Sequence, residues 1–391
     1  MSSQTEYEPI SLREAQNLVK DLTKPNPTVY WADFLVSILT GHALFHLVLY
    51  ADRWMDSAQW WFWPVRVALF FATALLYYRS VMFTHELVHL PRGEFRGFRI
   101  AWNLLCGIPF LIPSYMYYPH VDHHRRKSYG TDEDGEYLNL SHRSPWLIVG
   151  YLLSVLVVPL LGFFRFAVIT PLWWIFPAMR GWTWHHASTM VMDPTYFRPD
   201  AGERVHRIRL LQEVGCFVFC MFLALRGPLI QGVAFDPLWV QAYLMGVTIL
   251  TLNNVRTLGA HRWTGDGEPL SFEEQLLDSV NYPERPWITE LWGPVGTRYH
   301  AIHHLLPSLP YHNLGLAHRR LMEGLPANSI YRLTNRTSLL GEIATLWRRS
   351  ANRHRKPIDH RNGSGNDQLS AARRFSPGRH AGWNTRKRMA E

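Results

Sequence analysis

Cysteine and lysine are the scarce residues of this 391-residue chain. The three cysteines, Cys106, Cys216 and Cys220, are too few for a disulfide framework, and no CxxC pair offers an iron–sulfur or zinc-ribbon site. A mature secreted domain and a fused ferredoxin are therefore not expected. Only five of the 40 basic residues are Lys; the others are Arg. The first 28 residues are polar, contain Pro25 and Pro27, and do not read as a secretory signal. Excess charge is also missing from most of the chain. The formal net charge is +9, but residues 346–391 hold 12 Lys/Arg against three acids, and the first 345 residues hold 28 of each sign. The basic character belongs to a C-terminal tail, so no nucleic-acid partner is expected. That tail, rich in Arg, Gly, Asn and Ser, is expected to be disordered and to lie against anionic lipid.

Apolar material is abundant: 47% of residues are hydrophobic and 17 are Trp. Runs 30–50, 61–84, 214–235 and 238–255 are each long enough to cross a hydrocarbon core of ~30 Å at a rise of ~1.5 Å per residue. Trp and Tyr gather at their ends, as interfacial residues do. Two further runs contain prolines, Pro109 and Pro113 in 101–118, and Pro159, Pro171 and Pro177, with Arg165, in 146–178. These read as re-entrant or interfacial pieces. The expected fold is an all-α membrane protein with four transmembrane helices in two hairpins. Around them come re-entrant or interfacial helices and a cytoplasmic, histidine-rich cap. The expected divisions are a polar segment 1–28, a membrane domain 29–325 and a basic tail 326–391. Arg92, Arg96, Arg99, Arg125, Arg126, Lys127 and the tail share the side of the histidines, while the opposite turns hold little beyond Arg53 and Arg226. By the positive-inside rule the histidines and both termini are cytoplasmic.

Twenty histidines are present, and their spacing is the main chemical signal. His85 and His89 stand at i,i+4 in THELVHL, where the second span ends. His120, His123 and His124 lie in YPHVDHHRRKSYGT, and His300, His303 and His304 repeat that spacing in RYHAIHHLLPSLPYHNL. His261, in NNVRTLGAHRWTG, follows the fourth span. Spacings of three and four place side chains together on a helix, and neutral imidazole ligates iron, zinc or copper. Nine such nitrogens exceed the needs of one ion, so two ions are expected. His42 and His46 lie within a span and read as packed residues, His185 and His186 lack a third partner, and His142 and His206 read as loop residues. Glu86 makes the first box an HExxH motif, which in a zinc peptidase supplies two ligands and a base. A peptidase leaves two HxxHH boxes without a task; Glu86 reads better as a carboxylate orienting an imidazole. His312, close behind the third box, is a similar candidate. A metal transporter would want its ligands inside the spans.

HxxxH at 85–89 with HxxHH at 120–124 and 300–304, set between membrane hairpins, resembles the integral-membrane fatty-acid desaturase/hydroxylase superfamily from about residue 30 to 325. HRRKSYGTDEDGEY and GPVGTRYHAIHHLLPSLPYHNLGLAHRRL are similar to bacterial acyl-lipid desaturase-like members. The resemblance implies a location in the bacterial inner membrane. It also implies a cytoplasm-facing di-iron centre held by His85, His89, His120, His123, His124, His300, His303 and His304, with His261 as the further ligand. O₂ is the implied oxidant, and a separate ferredoxin- or rubredoxin-type carrier with its reductase supplies electrons. An apolar tunnel would carry the fatty acid or acyl lipid. Where stearoyl-type desaturases place an Asn four residues before that histidine, this chain has Thr257, leaving Asn254 as a candidate for a water-mediated role. The expected outcome is a new C=C bond. Decarboxylation to a terminal alkene and hydroxylation are the alternatives within the superfamily. A decarboxylase would hold a free carboxylate with residues such as Arg125, Arg126, Arg262 or Arg298, which otherwise read as partners of lipid phosphates.

Overall fold

The computed structural model describes residues 7–91, 93 and 95–355. Arg92 and the basic segment 356–391 lie outside the described residues. Among the described residues the fold is all helical, with extended pairing limited to isolated bridges such as Asn281 with Tyr299.

Helix Pro27–Leu49 starts where sequence chemistry places it. The Asn26 side chain accepts a hydrogen bond from Thr28 N at 3.0 Å, and Pro27 takes the first helical position, where no N–H is needed. It packs along Phe62–His89. A Cβ at Gly41 would meet the Tyr77 ring at 2.7 Å, so the two helices approach where no side chain separates them. An ion-pair chain pins this pair near the histidine end: Arg79 bonds Asp33 at 2.6 Å and Glu290 at 3.0 Å. Edge-to-face rings of Tyr30, Phe34, Phe83, Phe98 and Tyr311 fill the space beneath. His42 belongs to this packing, bonding the Tyr77 hydroxyl at 2.8 Å and Leu105 O at 3.0 Å.

Four helices are long and apolar enough to cross a membrane: Pro27–Leu49, Phe62–His89, Val158–Ile175 and Glu203–Gln231. Large apolar side chains such as Val36, Phe71, Leu160, Val218 and Leu229 face outward from them, where a water-facing surface would be polar. The third of the four lies inside the run 146–178, which breaks at Val157 between a shorter helix, Trp146–Leu156, and a piece of membrane length. Pro159 and Pro171 each sit in the first turn of a helical piece, where proline is tolerated, and a π-turn over Arg165–Ile169 carries the helix between them. Arg165 is buried against Glu213 at 2.5 Å, so its charge does not end the helix. Run 238–255 is also a continuous helix, Leu238–Ala260, but a more polar one, containing Gln241, Asn253, Asn254 and Arg256. Runs 214–235 and 238–255 lie on consecutive helices, Glu203–Gln231 and Leu238–Ala260, joined by a short turn. Val158–Ile175 touches both, with Pro159 against Gly246, Phe163 against Trp239 and Arg165 on Glu213. His123 and His261 meet in one cluster. A chain crossing a bilayer between them must do so an even number of times, so two of the three long helices in that interval can be full crossings. Run 101–118 folds back as expected, with the Asn103 side chain accepting from Ser114 N at 2.9 Å.

Described structure continues past residue 326. Buried Ile330 and Tyr331 follow it, and Leu339–Arg355 is a 17-residue helix lying along Leu238–Ala260. Ser350 and Leu346 are buried there, so the body of the protein includes the first turns of the basic stretch. Amphipathic spacing, with apolar Leu339, Ile343 and Leu346 on one face, offsets the low apolar content.

Candidate metal centre

The nine histidines converge from four chain segments. His85 and His89 end the Phe62–His89 helix. The one-turn helix His120–His123 carries His120 and His123, with His124 as its cap. His261 is the extended residue that follows Leu238–Ala260, and His300–Leu305 carries the last three. Together they form two sets. His85, His89, His120, His124 and His303 make one; His123, His261, His300 and His304 make the other, with ligand atoms in each set within 4.8 Å of one another. The two HxxHH boxes are split alike. Residues i and i+4 of each box join one set, and residue i+3 turns to the other. The boxes thus straddle two positions, whereas the sequence reading put each on one face.

Three carboxylates missed by that reading hold imidazoles by their outer nitrogens. Asp134 accepts from His123 Nδ1 at 2.8 Å and Glu136 from His120 Nδ1 at 2.8 Å. His261 Nδ1 meets the Tyr129 hydroxyl at 2.9 Å, and that hydroxyl donates to Asp278 at 2.7 Å. An Nδ1 that donates leaves a bare lone pair on Nε2, the tautomer a metal requires. Asp134 and Glu136 of GTDEDGEY, ten and twelve residues after the last histidine of the second box, are acids close enough in sequence to signal two of these partners. Asp278 had no such signal. Burial pushes its carboxyl up, but hydrogen bonds from His261, Thr264 and Tyr129 hold it down to about 2.

Nitrogen contacts show what the sets are built to hold. His124 Nε2 lies 2.9 Å from His120 Nε2 and 3.1 Å from His303 Nε2; His300 Nε2 lies 2.8 Å from His261 Nε2 and 3.1 Å from His304 Nε2. One ring nitrogen makes one in-plane hydrogen bond, as donor or as acceptor, so these paired contacts cannot all be hydrogen bonds. They match nitrogens set roughly 90° apart around an ion at ~2.1 Å. Both ring nitrogens of His85, His89 Nε2 and the Nδ1 atoms of His124, His300 and His303 are buried without a partner. Burial, followed by neighbouring imidazoles, drives His120, His124, His300, His303 and His304 well below the usual imidazole range. Burial also lowers His261, against the pull of Asp278. Burial lowers His123 as well, but the carboxylates of Asp134, Glu136 and Asp278 together outweigh it and move this ring, alone among these, up. Neutral, lone-pair-bearing imidazoles in two compact sets fit two metal ions.

The remaining candidates are placed elsewhere. Glu86 accepts from the Tyr30 hydroxyl and from Tyr311 N at 3.2 Å, locking three segments together, so it orients no imidazole and is not placed as a peptidase base. Asn254 donates to Tyr151 O at 3.0 Å. His312 accepts from Asn26 N at 3.1 Å, at the start of the first long helix. Arg262 and Arg298 spend donors on backbone carbonyls, Arg125 pairs with Asp122 at 2.5 Å and Arg126 lies over the Phe272 ring. They brace the cap and do not converge on a carboxylate seat. His185 bonds Arg198 O, and His206 packs on Trp184.

Asp134 also accepts from Gly130 N at 3.1 Å, so it fixes both the loop and the His123 tautomer. Asp134→Asn is expected to lower metal affinity about 10- to 100-fold. Titration of the metal-loaded protein with a competing chelator reads this directly.

An all-helical frame of membrane-length helices capped by two histidine sets agrees with the resemblance read from the three histidine boxes. A family model described as fatty acid desaturase matches residues 58–335, and the chain belongs to that family. It is similar to a ceramide hydroxylase of Caulobacter vibrioides (strain NA1000 / CB15N), 37% identical over 346 residues that cover 86% of this chain and 93% of the relative. No solved structure matches this chain.

Proposed function

We propose that this protein hydroxylates a ceramide-type lipid at a di-iron centre, consuming O₂ and two electrons from a separate carrier protein. The observation that carries the reading is the pairing of the two histidine sets with a hydroxylase relative matched along nearly its whole length. Desaturation, the outcome first expected, uses the same ligands, and no feature of this site favours it.

Iron held by the two sets would supply O₂ activation and hydrogen abstraction from an unactivated C–H bond, which no acid–base side chain can break. One oxygen atom enters the lipid and the other leaves as water, with two electrons and two protons consumed. The chain's own residues supply geometry and dryness. Asp134, Glu136 and the Tyr129–Asp278 pair keep Nε2 lone pairs inward, while Tyr117, stacked on His120 at 4.7 Å, and buried Trp263 close the walls. A cytoplasmic position for the centre is supported by the basic residues of the cap. Arg226, on the far side, is neutralised by Asp236 and bonds the Tyr50 hydroxyl at 2.6 Å.

Expression in a host that makes ceramides, followed by lipid mass spectrometry under ¹⁸O₂, tests the reading. A ceramide one labelled oxygen heavier is expected. A product two hydrogens lighter without label would establish desaturation, and volatile terminal alkenes would establish decarboxylation.

A further inference from the structure

The N-terminal segment, read from the sequence as a separate polar stretch, is strapped onto the cap. Glu8 N donates to Asn328 O at 2.9 Å and Ile330 N to Glu8 O at 3.0 Å. Arg320 Nη2 donates to Asp21 at 3.0 Å, and Leu18 fills the space beside Gly324, where a Cβ would meet it at 2.7 Å. The helix between these ties, Leu12–Val19, buries Ala15 and Val19 on one face. Leu12 and Gln16, one turn apart on another face, line a cavity of about 240 Å³.

That cavity reaches the centre. Its wall includes His124 of the five-histidine set and His304 of the four-histidine set, whose rings stand 4.4 Å apart. With His89, they are the members of the two sets that are not buried. Phe272 and Gln275 form a further wall, and Gln275 Nε2 is tied to Arg126 O at 2.9 Å. The exposed lining residues are polar: Gln16, Arg126 and Ser308. None of the large apolar side chains that face outward elsewhere lines this cavity, so nothing at its mouth draws in a lipid tail. Its volume has room for several waters, each of which takes about 30 Å³ in the liquid.

We propose that this cavity is an aqueous port to the centre. Water and small water-borne metal ligands, anions above all because Arg126 stands at the cavity, reach both histidine sets between His124 and His304. The lipid reaches them by another route. The port presupposes ions in the two sets but no particular oxidation of the lipid. Protons and product water thereby have a path that bound substrate does not block.

Azide binding to the iron-loaded, oxidised, full-length protein in lipid nanodiscs, followed by the absorption band that azide gives with ferric iron, tests the port. Gln16→Cys and Ser308→Cys each place one reactive thiol at the cavity, from two different segments, because Cys106, Cys216 and Cys220 are buried. A bulky, water-soluble maleimide is attached after the iron is loaded, so folding and metal uptake precede the block. In both variants the label should slow azide association at least about tenfold, since a group of that size fills the space of several waters. Iron content and the affinity for a short-chain ceramide should not change. The same label on Thr337→Cys, in a second cavity lined by Val255 and Leu339, should leave the azide rate as it was. Unaltered rates in the labelled Gln16→Cys and Ser308→Cys proteins would overturn the port. So would a slowing confined to one of the two, which marks a local distortion, or an equal slowing at Thr337→Cys, which marks an effect of the label itself. Loss of ceramide binding would overturn it as well, by making the cavity the path of the lipid. A wild-type protein that takes up no iron removes the metal reading and the port together. One that takes up iron and is indifferent to both labels loses the port alone.

Discussion

Replacing His124 with alanine is expected to abolish product and to lower the iron content from about two ions per chain to one or fewer. Its Nε2 is the hub of the five-histidine set, 2.9 Å from His120 Nε2 and 3.1 Å from His303 Nε2, and its ring stands 4.4 Å from that of His304 in the other set. Alanine removes a ligand and opens a gap between the two positions, so both ions are affected. His300→Ala should do the same from the other side, since His300 is the hub of the four-histidine set. His185→Ala is the control: that ring stacks on Phe197 at 4.2 Å, away from both sets, and its loss should spare iron and turnover. Metal analysis with Mössbauer spectroscopy of iron-57-loaded protein separates loss of one ion from loss of two. A His124→Ala protein that keeps full activity would mean that the five-histidine set is not a metal site.

Glu213→Ala should be the most destabilising single change outside the centre, by about 3–5 kcal/mol. Glu213 is fully buried. It accepts from Arg165 at 2.5 Å, Arg209 at 2.8 Å, the Tyr115 hydroxyl at 2.8 Å and the Trp173 indole at 2.7 Å. Without the carboxylate, two guanidiniums stay buried and uncompensated; Arg209 already has one Nη2 unmatched. That loss is a large share of the ~5–15 kcal/mol that usually holds a domain together. Thermal unfolding in detergent, followed by tryptophan fluorescence, should show a large fall in midpoint, with Glu213→Gln in between because it keeps the acceptor and drops the charge. Iron content should fall as well, since Tyr115 sits in the turn that leads to His120. An alanine variant as stable as wild type would show that the arginines find other partners, such as lipid phosphates.

The two predictions differ in how far the sequence alone reached them. His124 was legible, because HxxHH repeated twice beside membrane boundaries is a local pattern. Glu213 was not. Its partner Arg165 lies 48 residues away and counted against a helix at 146–178 when hydropathy was read along the chain. The same applies to the acids of the centre: Asp134 and Glu136 sit in the segment HRRKSYGTDEDGEY, but their bonds to His123 and His120 depend on how the loop folds back. Glu86, beside a box residue in sequence, points to a different helix face, toward Tyr30 and Tyr311, because helix neighbours point about 100° apart.

By itself the sequence determined the helical class and the nine histidines. It also placed the basic excess near the C terminus. Span length, i,i+4 spacing and local composition are properties of a single segment and need no knowledge of its neighbours. Only the tertiary structure decided which histidine joins which set, which carboxylate holds it, and that the proline-bearing run contains a helix of membrane length. Those outcomes depend on the rotation and contact of segments far apart in the chain. There, an opposite charge or a matching hydrogen bond reverses what each residue would do alone.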